Sequence, residues 1–591
     1  MTATEKPPPL VQGFASICRK GRGLSEKRLH SRRRLSTMTR VYQPLPFSGE
    51  QMKKISGIIV DPIARRQFPG TLIIDQGGIV DIQPDAGARG PFILPGLIDS
   101  HIHIESSMLT PAAFAEKAVT HGTVAVVADP HEIANVLGIA GIDFMIENAR
   151  QVPLKFYFGA PSCVPATTFE SAGARLTAHD VTKLLERDDI FFLTEMMNFP
   201  GVIGQDPEVM AKLQAAAKMG KKVDGHAPGL HSLDLAAYIR AGISTDHESL
   251  SLTECYEKLA LGMKIQLRQG SSARNLDDLH PLITSHSGQC MLCTDDLKPA
   301  DLTCGHINLL IKKALSLGHD LFDILQCACV NPVRHYQLGV GLLQKGDPAD
   351  FILVNDLDRI EVSATWINGE MVSSKGQPLF QAAQAMPINR FHAAPLKPEQ
   401  LQVRARGSQI KVIEVTDGQI VTGTGRHPVP AESTVVEADP QADLLKIIVH
   451  NRYQPAPPAI GFVRGFGLKD GAMASSIAHD SHNIIAVGVS DLDLARAVNL
   501  LQKSGGGICF VDGEEEKMME LPIAGLMGLG SCEEMAASYS ILEQMVREKG
   551  CLLQTPFMTM SFLALPVIPA LKITDQGLFD VERFELTDLF V

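Results

Sequence analysis

The sequence predicts an α/β protein: a (β/α)8 TIM-like barrel, a small β domain built from both of its flanks, and an additional C-terminal α+β domain. Three observations predict it. Between about 90 and 335, eight short β-branched or apolar runs end in polar residues, and helical stretches follow them. Strand-like pieces too short to fold alone stand on both sides of that region. After about 385 the composition shifts, and a further stretch carries its own strand and helix patterns.

In chain order, residues 1–46 read as a basic, disordered extension. Residues 1–40 hold ten Lys/Arg against Glu5 and Glu26, a net +8. The whole chain carries −12, so the remaining 551 residues carry −20. The head lacks a seven-residue apolar core and is no secretory signal. It is basic and Ser-containing, as transit peptides are, but reads better as a tail or as sequence upstream of a true start at Met38.

Residues 47–92, with "ISGIIVD" and "TLIIDQGGIVDIQ", form the first part of the small β domain. The barrel spans 93–338. Its runs are "FILPGLIDSHIH" (92–103), "TVAVVADPHE" (123–132), "KFYFGAPS" (155–162) and "IFFLTEMMNFP" (190–200). They continue with "KKVDGHAPG" (221–229), "ISTDHES" (243–249), "KIQLRQGSSA" (264–273) and "CMLCTDD" (290–296). Helical stretches such as "PEVMAKLQAAAKM" (207–219) lie between them, here with Pro in the first turn. Strands alternating with helices imply a parallel sheet with right-handed crossovers. Eight such units in about 250 residues match a closed barrel. An open doubly wound sheet is disfavoured, because no Gly-rich phosphate loop follows the first strand. Residues 339–385, with "DFILVND" and "IEVSATWINGEMV", complete the small β domain. The Ala/Pro-rich stretch 386–404 reads as a linker, and 405–591 as the C-terminal domain.

Hydrophobic residues make up 45% and charged residues 20%, as in soluble globular proteins. No run of eighteen apolar residues offers a membrane span. The acidic body repels phosphates and argues against a nucleic-acid partner. Eleven Cys, an odd count, fit free thiols in a reducing cytoplasm. Cys290 and Cys293 form a lone CxxC that reads as strand. In "KSGGGICF" (503–510) the Lys–Ser pair precedes the glycines, so a tight turn before a strand is expected rather than a phosphate loop.

The run tips carry the chemistry. In a strand, residues i and i+2 face one side, so His101 and His103 converge. Glu195, His226, His247 and Asp295 end four other runs, and barrel strand ends surround one cavity. Four imidazoles and two carboxylates exceed the need of one ion. The set predicts two metal ions with a carboxylate bridge, of a kind that takes mixed N/O ligands: Zn, Fe(II) or Mn.

At these residues the chain resembles the amidohydrolase superfamily, through "PGLIDSHIH" and the spaced His, His and Asp. "HIHIESSMLTP", "VADPHEIANVLG", "TEMMNFPGV", "DGHAPGL", "STDHES" and "CTDD" resemble the adenine deaminase family within it. So do "GFVRGFGLKDGAMASSIAHDSHNIIAVG" (461–488) and "PFMTMSFLALPVIPALKITDQGLFDV". The resemblance covers roughly 47–591. It implies hydrolytic deamination of adenine to hypoxanthine and ammonia, a purine-salvage step, with two divalent ions per chain, Mn(2+) or Fe(2+). It implies His101, His103, Glu195, His226, His247 and Asp295 as ligands, and a homodimer by analogy alone. Where the family usually has R-E-G-S, this chain has Gln269 at the acidic position.

With that resemblance, Asp295 is expected to take the proton of the attacking water and pass it to the departing amine. Glu105 either protonates a ring nitrogen or orients a ligand imidazole. His131 either contacts substrate and shuttles protons or caps its loop. Asp129 and Asp296 are weaker candidates for substrate binding, with structural hydrogen bonds as the alternative. His479 and His482, in "AHDSHN", read as a loop reaching the barrel mouth of their own or a neighbouring subunit. Alternative readings are another amidohydrolase acting on a related 6-aminopurine or cyclic amide, or a silent metal-binding homologue. A dihydroorotase or hydantoinase would want a carboxylated Lys, and "FFLTEMMNF" offers Glu195 and no Lys. A sugar-phosphate deacetylase would want clustered basic residues at the tips, which the runs lack.

Overall fold

A computed structural model gives the fold and describes residues 52–591. The expected basic head and Met38 lie outside the described residues. Eight strands form the barrel: β1 (Leu97–His103), β2 (Thr123–Ala128), β3 (Lys155–Phe158), β4 (Phe192–Met196), β5 (Lys222–Gly225), β6 (Thr245–Asp246), β7 (Lys264–Arg268) and β8 (Cys290–Cys293). Each neighbouring pair is parallel, and β3–β4 and β5–β6 meet through single bridges, Ala160–Leu193 and Val223–Ile243. The pair Asp295–Asp296, just past β8, bonds to Ile102 and His103 and closes the ring. Strands such as "TVAVVA" are buried along their whole length, because side chains fill the barrel on one side and helices cover the other. The helix Pro207–Met219 shows the local logic. Asp206 caps its first amides, Pro207 takes the position whose amide has no partner, and Gly220 ends it at φ 67°.

The small β domain is one eight-stranded sheet drawn from both flanks. Phe92–Pro95 joins the halves, pairing parallel with Lys53–Asp61 and antiparallel with Phe351–Val354. Phe351 stacks on Trp366 at 5.3 Å in its core.

The C-terminal region is built on a second eight-stranded sheet, antiparallel except where Gln409–Glu414 meets Ala459–Arg464. Its strand Ile484–Gly488 shows why it does not stand apart. Ile484 and Ala486 point to the helix Asp491–Ser504, while Ile485 and Val487 join the core that holds Ile102 and Phe158 of the barrel. Residues 52–591 therefore fall in one compact unit. The stretch expected as a linker, 386–404, is not loose. Leu396 and Leu401 are buried against that helix, and Leu396 exchanges two hydrogen bonds with the Asn499 side chain, because apolar residues within the Ala/Pro-rich run have a groove to fill.

Two motifs outside the tips behave as ordinary structure. "CMLC" is β8, with both thiols buried, and burial pushes Cys290 up to about 12. In "KSGGGICF" the helix ends at Gly505 and Gly506 turns at φ 123°, where a Cβ would meet Gly525 at 2.6 Å. Among the described residues, no helix is long and apolar enough to cross a membrane.

Candidate active site

The strand ends place six donors in one buried cluster. Asp99 ties the first and last tips together, since its Oδ1 accepts from the amides of His101 and Thr294. His101 Nε2 then lies 3.2 Å from both His103 Nε2 and Asp295 Oδ1. His103 Nε2 lies 3.1 Å from Asp295 Oδ1 and 3.3 Å from Glu195 Oε1. On the other side, Glu195 Oε2 is 2.8 Å from His226 Nδ1 and 3.1 Å from His247 Nε2. His101 stacks on His247 at 4.0 Å. Glu195 thus turns one oxygen to each half of the cluster.

This donor set fits a divalent cation. Lone-pair atoms of imidazoles and carboxylates crowd at hydrogen-bond distance with water excluded, which demands positive charge between them. Burial opposes the charge on His103, but Asp295 and Glu195 hold its pKa well above the ordinary range. Burial would raise Glu195, but His247, His103 and His226 hold it well below the ordinary carboxylate range.

Around the cluster lies a partly open pocket. His131 opens the helix α1 (His131–Leu137). Its Nδ1 is 3.0 Å from Asp129 Oδ2 and 3.4 Å from Glu195 Oε1, while its buried Nε2 has no hydrogen-bond partner. Asp129 also accepts from the His131 amide, so it holds that imidazole and does not line the pocket. Asp296 lines the pocket and accepts from Ser106 Oγ at 2.5 Å; burial and then Asp295 raise its pKa. Glu105 is not brought to the pocket. Its Oε1 accepts from the Ile133 amide at 3.1 Å, capping α1, and burial pushes its pKa to about 7. Gln269 turns away from the tips and accepts from Lys313 Nζ at 3.0 Å.

The "AHDSHN" segment reaches the mouth of its own barrel. His479 Nδ1 is 2.5 Å from Glu132 Oε1, and His482 Nε2 meets the other oxygen of Glu132. His479 also stacks on Phe562 of the helix α2 (Pro556–Phe562), at 4.5 Å. Phe562, Leu565, Ile568 and Ile420 give the pocket an apolar roof.

Three charged pocket residues escaped sequence reasoning, Glu132, Glu248 and Arg268, and Asp480 was read only as part of the "AHDSHN" loop. Arg268, fully buried, bonds Asp295 Oδ2 at 2.5 Å and both oxygens of Glu248. Glu132, Glu248 and Asp480 each follow directly after a histidine that was singled out. The i, i+2 rule skips them, but past a strand end the chain turns, and consecutive residues can face the same cavity.

The amidohydrolase family model matches residues 92–372, and the model for the adenine deaminase C-terminal domain matches 419–585. The adenine deaminase of Methanosarcina mazei is 49% identical over 554 residues, covering 91% of this chain and 100% of that protein. That of Methanosarcina acetivorans is 50% identical over 552 residues, with the same shares covered. That of Salinibacter ruber is 49% identical over 539 residues, covering 91% of this chain and 99% of that protein.

Proposed function

This chain belongs to the adenine deaminase family, and on that footing we propose that it hydrolyses adenine to hypoxanthine and ammonia. His101, His103, Glu195, His226, His247 and Asp295 would hold two divalent ions, Mn(2+) or Fe(2+). The observation that supports this most is the division of Glu195: Oε1 toward His103, Oε2 toward His226 and His247. Ions bound there make water acidic enough to act as a nucleophile near neutral pH, lowering its pKa from 15.7 to about 7.

The remaining steps belong to the side chains. Adenine enters with C6 toward the strand tips. Asp295 takes a proton from the attacking water and delivers it to the departing amine, which leaves as ammonia. Arg268, bonded to the second oxygen of Asp295, fixes the direction of that carboxylate. His131, with a free buried Nε2, donates to a ring nitrogen beside C6. Glu105 orients α1 and so His131.

The test is turnover by chain loaded with Mn(2+) or Fe(2+), followed by loss of adenine absorbance and release of ammonia, with metal analysis of the same sample. Adenosine, guanine and cytosine run beside it. The expected result is deamination of adenine with about two equivalents of metal. Absence of turnover in metal-replete protein would refute the reading.

A further inference from the structure

The pocket holds a carboxylate that the proposed chemistry does not use. Asp480 is 2% exposed and lines the cavity, and its Oδ2 has no hydrogen-bond partner. Its Oδ1 lies 3.7 Å from His131 Nε2, too far for a hydrogen bond. Leaving a buried carboxylate oxygen unpaired is costly, so the site is arranged for a donor that arrives with the substrate.

The backbone that carries this carboxylate is also held in place. Tyr453 Oη donates to the Ser481 carbonyl at 2.5 Å, and Arg452 Nη1 donates to that of His482 at 3.2 Å. The Asn483 side chain donates to the Ser171 carbonyl at 2.8 Å. These bonds pin the backbone directly after Asp480.

His131 relates Asp480 to the reacting end. One ring nitrogen is 3.4 Å from Glu195 and the other 3.7 Å from Asp480, so one imidazole spans the gap. A purine placed with C6 at the strand tips would run along the same span and bring its five-membered ring to the Asp480 end. Free adenine carries an N–H on that ring, and a 9-substituted adenine does not.

We propose that Asp480 selects the free base by accepting the N–H of the purine's five-membered ring. This rests on the adenine-deaminating reading above. Phe562 stacks on His479, next to Asp480, and clusters with Leu565 and Ile568 in the pocket lining, so a substituent on that nitrogen would meet apolar side chains and also leave the carboxylate unpaired.

The test compares adenine with 9-methyladenine, by kcat/KM or by inhibition constant, in the metal-loaded wild type, Asp480→Ala and Asp480→Asn. Wild type should prefer adenine by about 10³-fold or more. Asp480→Ala should lower kcat/KM for adenine about 10–100-fold, with metal content unchanged, and shrink the preference at least tenfold. Asp480→Asn keeps an acceptor oxygen without charge and should fall between, which keeps the test open if the alanine variant does not fold. A preference unchanged in the variants overturns the proposal while adenine turnover stands. Loss of a metal equivalent without a change in preference also overturns it, because Asp480 would then be a ligand. A metal-replete wild type inert to adenine overturns this proposal together with the reading it rests on.

Discussion

The floor and the roof of the pocket are built by different rules. The floor is six side chains at parallel strand ends, where the pleat and the barrel force convergence. The roof comes from the C-terminal region, where His479 reaches Glu132 across 347 residues of chain. The floor is all polar donors, and the roof is half apolar, with Phe562, Leu565 and Ile568 beside His479 and Asp480. The contrast separates two jobs. On the proposed function, the barrel would supply reactivity and the appended region the shape that decides what reacts.

Substitutions can break or sharpen that division. The largest effect belongs to the floor. Glu195→Gln should remove bound metal, seen by metal analysis, and drop turnover to background, since each half of the cluster depends on it. Asp295→Asn comes next. Metal should stay near normal while kcat falls about 10²–10⁴-fold, and retained turnover would refute a proton-transfer role for Asp295. Arg268→Gln removes the group that directs Asp295 and should lower kcat about 10–100-fold with little change in KM.

The roof should answer differently. Glu132→Gln loosens the bonds from His479 and His482, and KM for adenine should rise about tenfold with metal content and kcat nearly kept. A fall in metal content there would erase the distinction between the two regions. The smallest effect is on stability. Lys572 is fully buried beneath the roof, donating to the carbonyls of Ile420 and Phe562, and burial pushes its pKa down to about 7. A lysine in the unfolded chain titrates near 10.4, so between these values the unfolded state binds more protons. Stability from this group is therefore present at high pH and lost as pH falls through 7. Urea midpoints at pH 7 and pH 9 should differ by less in Lys572→Met than in wild type.

The same contrast explains what the sequence disclosed. His101 and His103 were legible because a pleated strand has a fixed period of two, and Glu195, His226, His247 and Asp295 because a barrel gathers strand ends. Eight alternating runs were enough to infer the closed ring. Arg268 lies on a strand, but its partners come from two other tips, and nothing local in "LRQGS" names them. Glu132 and Asp480 depend on where a loop turns, and no periodicity encodes that. The Ala/Pro-rich stretch read as a linker because its own composition gives no sign of the groove that Leu396 and Leu401 fill.

The proposed function puts Glu195 between two ions on the barrel floor. Anomalous diffraction from crystals of the Mn(2+)-loaded protein tests it most directly. Two manganese peaks should flank Glu195, one beside His101 and His103 and the other beside His226 and His247. A single peak, or peaks away from Glu195, would contradict the account.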